Sequence, residues 1–144
     1  MLGQGDFLQT IGREFYRMNR AQLKQYILET YNCEADHPWM NFPGNEVFRH
    51  SNNRKWFALI MDVPRERLGL AGTEPLDVVN LKCDPILIGS FRREIGIFPA
   101  YHMSKANWIT VALDGSVLSD TIKMLLDMSF EATASKIRRE NHGG

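Results

Sequence analysis

Apolar positions along this chain follow two different periods. Leu23, Tyr26, Ile27 and Tyr31 recur at i, i+3, i+4 and i+8, which is one stripe of an α-helix. Asn19 stands at the N-cap position and the pattern stops near Asn32. Helical spacing returns at Ile122, Leu125, Leu126, Ser129, Thr133 and Ile137. Ser119 is the expected N-cap there, with Asp120 in the first turn, where a negative charge suits the helix dipole. Between these helices the period drops to two. Val79, Leu81 and Cys83 alternate with Asn80 and Lys82, and Ile109, Val111 and Leu113 alternate with Trp108, Thr110 and Ala112. The first alternation predicts a strand with one buried face and one wet face.

Breakers divide these segments. Residues 34–45 carry two prolines and a glycine and read as a loop. Residues 47–50 and 55–63 read as two strands of a hairpin, with Ser51, Asn52 and Asn53 as its turn, because asparagine tolerates the positive φ of tight turns. Pro64 to Arg67 reads as a charged loop. Asp84 followed by Pro85 starts a helix, with Ile88, Phe91 and Ile95 as its stripe, and Gly89 costs it about 1 kcal/mol relative to alanine, so it is short. Residues 96–99 are extended, and Asp114 with Gly115 ends the following strand. The sum is a two-layer α+β sandwich: a twisted antiparallel sheet with both long helices packed on one face. Residues 1–17, where Phe7, Leu8, Ile11 and Phe15 are interrupted by glycines, read as an extension, a frayed or loosely docked helix. Residues 18–138 form the domain and 139–144 a flexible tail.

Composition narrows the function classes. The chain is 44% hydrophobic and 24% charged, with 17 basic and 17 acidic residues. Neutrality argues against strong non-specific nucleic-acid binding, although a local patch survives it. Cys33 and Cys83 lie far apart with no CxxC pairing, which favours buried thiols in a reducing compartment. There is no apolar N-terminal core of a signal peptide, and the longest apolar run, residues 56–61, is far too short to span a bilayer. A cytoplasmic protein is expected.

Candidate chemistry is sparse. No phosphate loop, nucleophile elbow or zinc signature is present, and His37, His50, His102 and His142 are scattered, so neither a metal nor a cofactor nor an enzyme is expected. Two groups remain. Tyr101, His102, Lys105, Asn107 and Trp108 form a polar, aromatic stretch. A helical turn across residues 103–107 would bring His102 and Lys105 to one side, where they could hold an anion or simply fix the entry into the strand. Trp108 is either sheet packing or a stacking platform. The second group is basic: Arg49, Arg54, Lys55, Lys82, Arg92 and Arg93 at hairpin and helix ends, where they could contact phosphates or serve only solubility.

Three stretches in order carry a family resemblance: residues 48–60, residues 79–85, and Tyr101-His102-Met103-Ser104-Lys105 continuing through Trp108 to Asp114-Gly115. Over residues 18–138 the chain resembles the MmcQ/YjbR family. The resemblance implies a CyaY/frataxin-like fold and a DNA-binding role through a double-wing arrangement, the wing here being Arg49, Arg54 and Lys55, with Lys82, His102 and Lys105 as a second contact surface. Ser104 stands where the family usually has asparagine, and Asn107 where histidine is common. Iron binding, which the fold also raises, needs an acidic ridge, and the first helix carries Arg20, Lys24 and Glu29 instead. The expected partner is DNA. The alternative is a module that binds a protein or a small anionic ligand at the stretch from Tyr101 to Trp108.

Overall fold

The computed structural model describes residues 17–135; expectations for residues 1–16, Ile137 and the tail lie outside them. Helix α1 (Arg20–Tyr31) starts in a reciprocal capping box. The Gln22 amide donates to Asn19 Oδ1 and the Asn19 amide to Gln22 Oε1, both at 2.9 Å. It ends at Asn32 in the left-handed conformation. Strands β1 (Ala35–Asp36), β2 (Glu46–Arg49), β3 (Trp56–Pro64) and β4 (Pro75–Lys82) follow. Then come α2 (Pro85–Phe91), β5 (Ile97–Pro99), β6 (Trp108–Ala112) and α3 (Ser119–Thr133). The six strands form one sheet in the order β1-β2-β3-β4-β6-β5, every neighbouring pair antiparallel.

All three helices lie on one face. Leu23 and Ile27 of α1, Ile88 of α2, and Ile122, Leu125 and Leu126 of α3 pack against Phe48, Ile60, Val79, Leu81, Ile109 and Val111 of the sheet. Met18 is buried in the same core. This is the expected two-layer α+β sandwich.

The opposite face is not wet, contrary to the reading of the alternation around Asn80. Val47, Leu59, Met61, Val63, Leu76, Val78 and Ala112 form a second apolar layer. Three loops cover it, contributing Trp39, then Leu68 and Leu70, then Tyr101 and Met103. Asn80 is fully buried beneath them. The middle loop contains a short 3-10 turn (Arg65–Leu68) where only a charged loop was expected.

A bulge distinguishes the two faces at one end of the sheet. Phe48 pairs with Ala58 but Arg49 with Trp56, so Phe57 is the extra residue. Phe57 therefore joins the helix-side core, while Trp56 turns to the loop-covered face. The Ser129 hydroxyl of α3 donates to the Phe57 carbonyl at 2.6 Å and accepts from the Lys82 amide at 2.8 Å. It thereby bridges groups that a regular ladder would have paired.

Two local expectations change. Ser119 is not the cap of α3: Leu118 holds that position without a side-chain bond, and the buried Ser119 hydroxyl has no partner among the described residues. In the hairpin, positive φ falls on Arg54 (63°) and not on an asparagine. Asn53 is engaged through its side chain, accepting from the Lys55 amide and donating to the Thr133 carbonyl, so the reversal is completed one residue later.

Candidate functional site

The end of the sheet where β3 begins and β4 ends gathers most of the candidate residues. On the loop-covered face Arg49 of β2 is paired in register with Trp56 of β3, and its guanidinium carbon lies 5.4 Å from the Trp56 ring centroid. Two strands along, Lys82 of β4 is paired with Trp108 of β6. Lys82 shares the parity of Asn80 and Val78, and Trp108 that of Thr110 and Ala112, so Arg49, Trp56, Lys82 and Trp108 all belong to the same face. Across four adjacent strands the row reads Arg, Trp, Lys, Trp. Both tryptophans are half-buried, leaving ring surface open.

Turns at the same end add more charge. Arg54 and Lys55 are exposed in the β2–β3 turn, and Lys105 is exposed in the turn over residues 104–107 that leads into Trp108. The Asn107 carbonyl accepts from the Cys83 amide at 2.8 Å, which fixes that turn beside the end of β4. Among the described residues no carboxylate lies at ion-pairing distance from Arg54, Lys55, Lys82 or Lys105. Arg49 differs, since Asp36 of β1 holds its guanidinium at 3.1 Å. Arg92 and Arg93 stand apart from the row. They follow α2 on the helix side, as the chain travels from the Lys82 end toward Ile97, which pairs with Val111 away from that end.

Beside the row is a groove of about 480 Å³. Trp39 and Trp56 meet edge to face in its wall, centroids 5.5 Å apart at 90°. Phe42, Tyr101, His102 and Met103 line it further, with Asn45 and Asp62 among its few polar contributors. Phe42 is 61% exposed, and its neighbour Met40 is 96% exposed. Tyr101 is held from below. Its amide donates to Thr110 Oγ1 at 2.9 Å, its carbonyl accepts from Asn80 Nδ2 at 2.8 Å, and Thr110 donates to Asn80 Oδ1 at 2.5 Å. Every polar group in that buried triangle is used. His102 follows with φ 62°, a conformation uncommon for a side-chain-bearing residue, and its ring centroid sits 3.9 Å from that of Tyr101.

Tyr101 and His102 thus enter the groove, whereas Lys105, Asn107 and Trp108 lie outside its lining. The expected helical turn bringing His102 beside Lys105 does not form. The turn begins only at Ser104, whose carbonyl accepts from the Asn107 and Trp108 amides, and left-handed His102 precedes it.

A separate polar cluster lies where α1 meets β2. Glu46, its side chain 8% exposed, takes Lys24 at 2.5 Å, Arg20 at 3.2 Å and His37 at 3.3 Å. Burial alone would raise its carboxyl, but hydrogen bonds and charge from Lys24 and Arg20 hold it below the usual carboxylate range. The cations of α1 are therefore occupied in the fold. Among the described residues no group of three His, Cys, Asp or Glu side chains is placed to hold a metal ion, and no helix is long and apolar enough to cross a membrane. Cys33 and Cys83 are free thiols.

Against known proteins, a family model described as YjbR matches residues 28–132. The chain belongs to the YjbR family. The uncharacterized protein YyaQ of Bacillus subtilis (strain 168) is 36% identical over 116 residues, 81% of this chain and 98% of YyaQ. The uncharacterized protein YjbR of Escherichia coli (strain K12) is 35% identical over 63 residues, 43% of this chain and 53% of that protein. A crystal structure of a Pseudomonas syringae protein superposes with TM-score 0.80 at 48% identity, covering 81% of this chain and all of that one. A Deinococcus radiodurans protein, at 22% identity and TM-score 0.64 over 90% of each chain, shares the fold.

Within the YjbR match fall both the row and the groove. Trp56 was not anticipated as a site residue, and neither were Trp39 and Phe42 of the preceding loop. The signal for the loop pair was aromatic side chains in a stretch that Pro38, Pro43 and Gly44 keep out of regular structure, where solvent exposure is the default. Asn80 was also missed, as a residue that orders Tyr101 from beneath.

Proposed function

We propose that this YjbR protein is a cytoplasmic, non-enzymatic DNA-binding module that contacts its ligand with the loop-covered face at the Trp56 end of the sheet. The observation that carries the reading is the row Arg49, Trp56, Lys82, Trp108, flanked by exposed Arg54, Lys55 and Lys105. Cations alternating with flat rings suit phosphates alternating with bases. Arg54, Lys55, Lys82 and Lys105 would neutralise phosphates. Arg49, already paired with Asp36, would instead orient the Trp56 ring. Arg92 and Arg93 are left out of this surface.

Four phosphate contacts correspond to a log–log salt slope of about −3 to −4. Titrating a labelled oligonucleotide at two salt concentrations should return that slope, and Lys55→Ala with Lys82→Ala should reduce it by about 2. Absence of binding at low salt would reject the reading. A second reading, a module that binds a protein segment or small ligand, draws support from Phe42 and Met40 exposed beside the groove. Its ligand would be apolar or aromatic rather than anionic, because the lining is mostly apolar.

A further inference from the structure

The groove and the row share Trp56, and that junction narrows the kind of nucleic acid the surface would take. We infer that the groove receives an unstacked nucleobase, so that the partner is single-stranded and not duplex; this rests on the nucleic-acid reading above.

Three features lead there. First, four rings line the groove: Trp39 and Trp56, which meet edge to face, and Tyr101 and His102, whose centroids lie 3.9 Å apart. A flat group entering among them gains stacking contact. Bases of a duplex keep both faces stacked on their neighbours and cannot offer one, whereas a single strand can.

Second, charge separates the two parts of the ligand. The exposed cations Arg54, Lys55 and Lys105 and the half-buried Lys82 collect at the sheet end that holds Trp56 and Trp108. Asp62 lies on β3 beyond Leu59 and Met61, toward the other end of the same groove. A phosphate is drawn to the first end, while the mostly apolar groove beside it suits an uncharged base. The ligand must therefore be anionic along its spine and flat and uncharged in its appended group.

Third, the groove is held ready. The Tyr101 backbone is pinned by Asn80 and Thr110, and His102 is kept at φ 62° beside it. A residue maintained in an uncommon backbone conformation at a ligand-sized groove is where a functional constraint is expected.

The test uses short oligothymidylate and a blunt duplex of equal length as probes, followed by tryptophan fluorescence and by anisotropy of a labelled strand. Phe42→Ala removes an exposed ring, and His102→Gly removes the other while relieving the positive φ, so both variants should fold. The expected result is single-strand binding at least tenfold tighter than duplex, with quenched tryptophan emission. Each groove variant should weaken it about five- to tenfold without changing the salt slope. Lys55→Ala with Lys82→Ala should instead change the slope. Equal binding of duplex and single strand, with Phe42→Ala and His102→Gly silent, would overturn the base-in-groove inference and leave the phosphate surface standing. No binding of either probe at low salt would overturn both. Capture in the groove of an uncharged aromatic peptide in preference to either probe would likewise overturn both.

Discussion

The side-chain amide of Asn80 reaches through the sheet's loop-covered face to the backbone carbonyl of Tyr101, at 2.8 Å. A strand residue thereby sets the position of a loop twenty-one residues away in sequence. The Thr110 hydroxyl completes the contact from the next strand, so neither the amide nor the hydroxyl is left unpaired in the interior. Buried polar groups of this kind stabilise only as a complete set.

Asn80→Ala breaks the set and leaves the Tyr101 carbonyl without its donor. Orphaning a buried polar group costs about 1–3 kcal/mol, and the cavity adds to it. A loss of about 3 kcal/mol is expected in urea denaturation, with the m-value unchanged. Hydrogen exchange at the Tyr101 amide should accelerate more than at Val79, which sits in the ladder. A uniform acceleration would mean that Asn80 supports the whole sheet and not the loop.

Ser129→Ala should cost about 2 kcal/mol for a related reason. Its hydroxyl serves the Phe57 carbonyl and the Lys82 amide at the bulge. Without it Phe57 has reason to slip back into register, which would turn Trp56 toward the helix side and remove it from the groove. The measurable sign is a shift in tryptophan emission together with the stability loss. A stability loss with unchanged emission would show that the bulge is held by Phe57 packing alone.

The long elements were legible because their periods were clean. Leu23 to Tyr31 and Ile122 to Thr133 each mark one helical stripe, and burial follows those stripes. The covered second face was not legible from Asn80 and Lys82, since alternation of polar and apolar residues ordinarily marks a solvated face. A different signal was available in β3. Trp56 to Met61 is apolar without interruption, the mark of a strand buried on both sides. The groove stayed hidden because its walls come from three separate segments, around Trp39, Trp56 and Tyr101, that only the sheet order brings together. The bulge was hidden too, because one extra residue changes which face Trp56 occupies without leaving a pattern in the sequence.

Glu46→Gln should destabilise the protein by about 2 kcal/mol at neutral pH, since hydrogen bonds to charged groups are worth more than neutral ones. Arg20 and Lys24 would keep their positions but lose the charge they neutralise. The folded Glu46 carboxyl titrates below its unfolded counterpart. Its contribution is therefore complete above the unfolded value, near pH 4.3, and is lost as pH falls through the lower folded value. Denaturation curves of the wild type and Glu46→Gln should converge as the pH is taken down through that window. A constant difference would mean that the loss comes from packing and not from charge.

His50 gives a pH dependence in a different window. Its ring lies between β2 and α3, 4.1 Å from the Phe130 ring by centroid, with Nε2 2.8 Å from Thr133 Oγ1 and 3.0 Å from the Phe130 carbonyl. Thr133 directs its own proton to the Ser129 carbonyl, so Nε2 of the neutral ring is the donor. Burial lowers the His50 pKa and Lys55 adds to the lowering, while the Phe130 carbonyl and Glu131 oppose it. The unfolded chain therefore binds a proton that the folded chain resists. The His50 contribution is complete above the unfolded value, near pH 6.5, and declines as pH falls below it toward the folded value, by at most about 1.4 kcal/mol per pH unit. His50→Gln can still donate toward Thr133 but cannot titrate. Comparing the two proteins between about pH 7 and 5 isolates this residue from the other histidines: the wild type should lose stability faster on acidification, and the gap between the curves should narrow or reverse. Parallel curves would show that His50 is as easily protonated in the fold as outside it, and the packing of α3 over β2 would then have no acid-sensitive member.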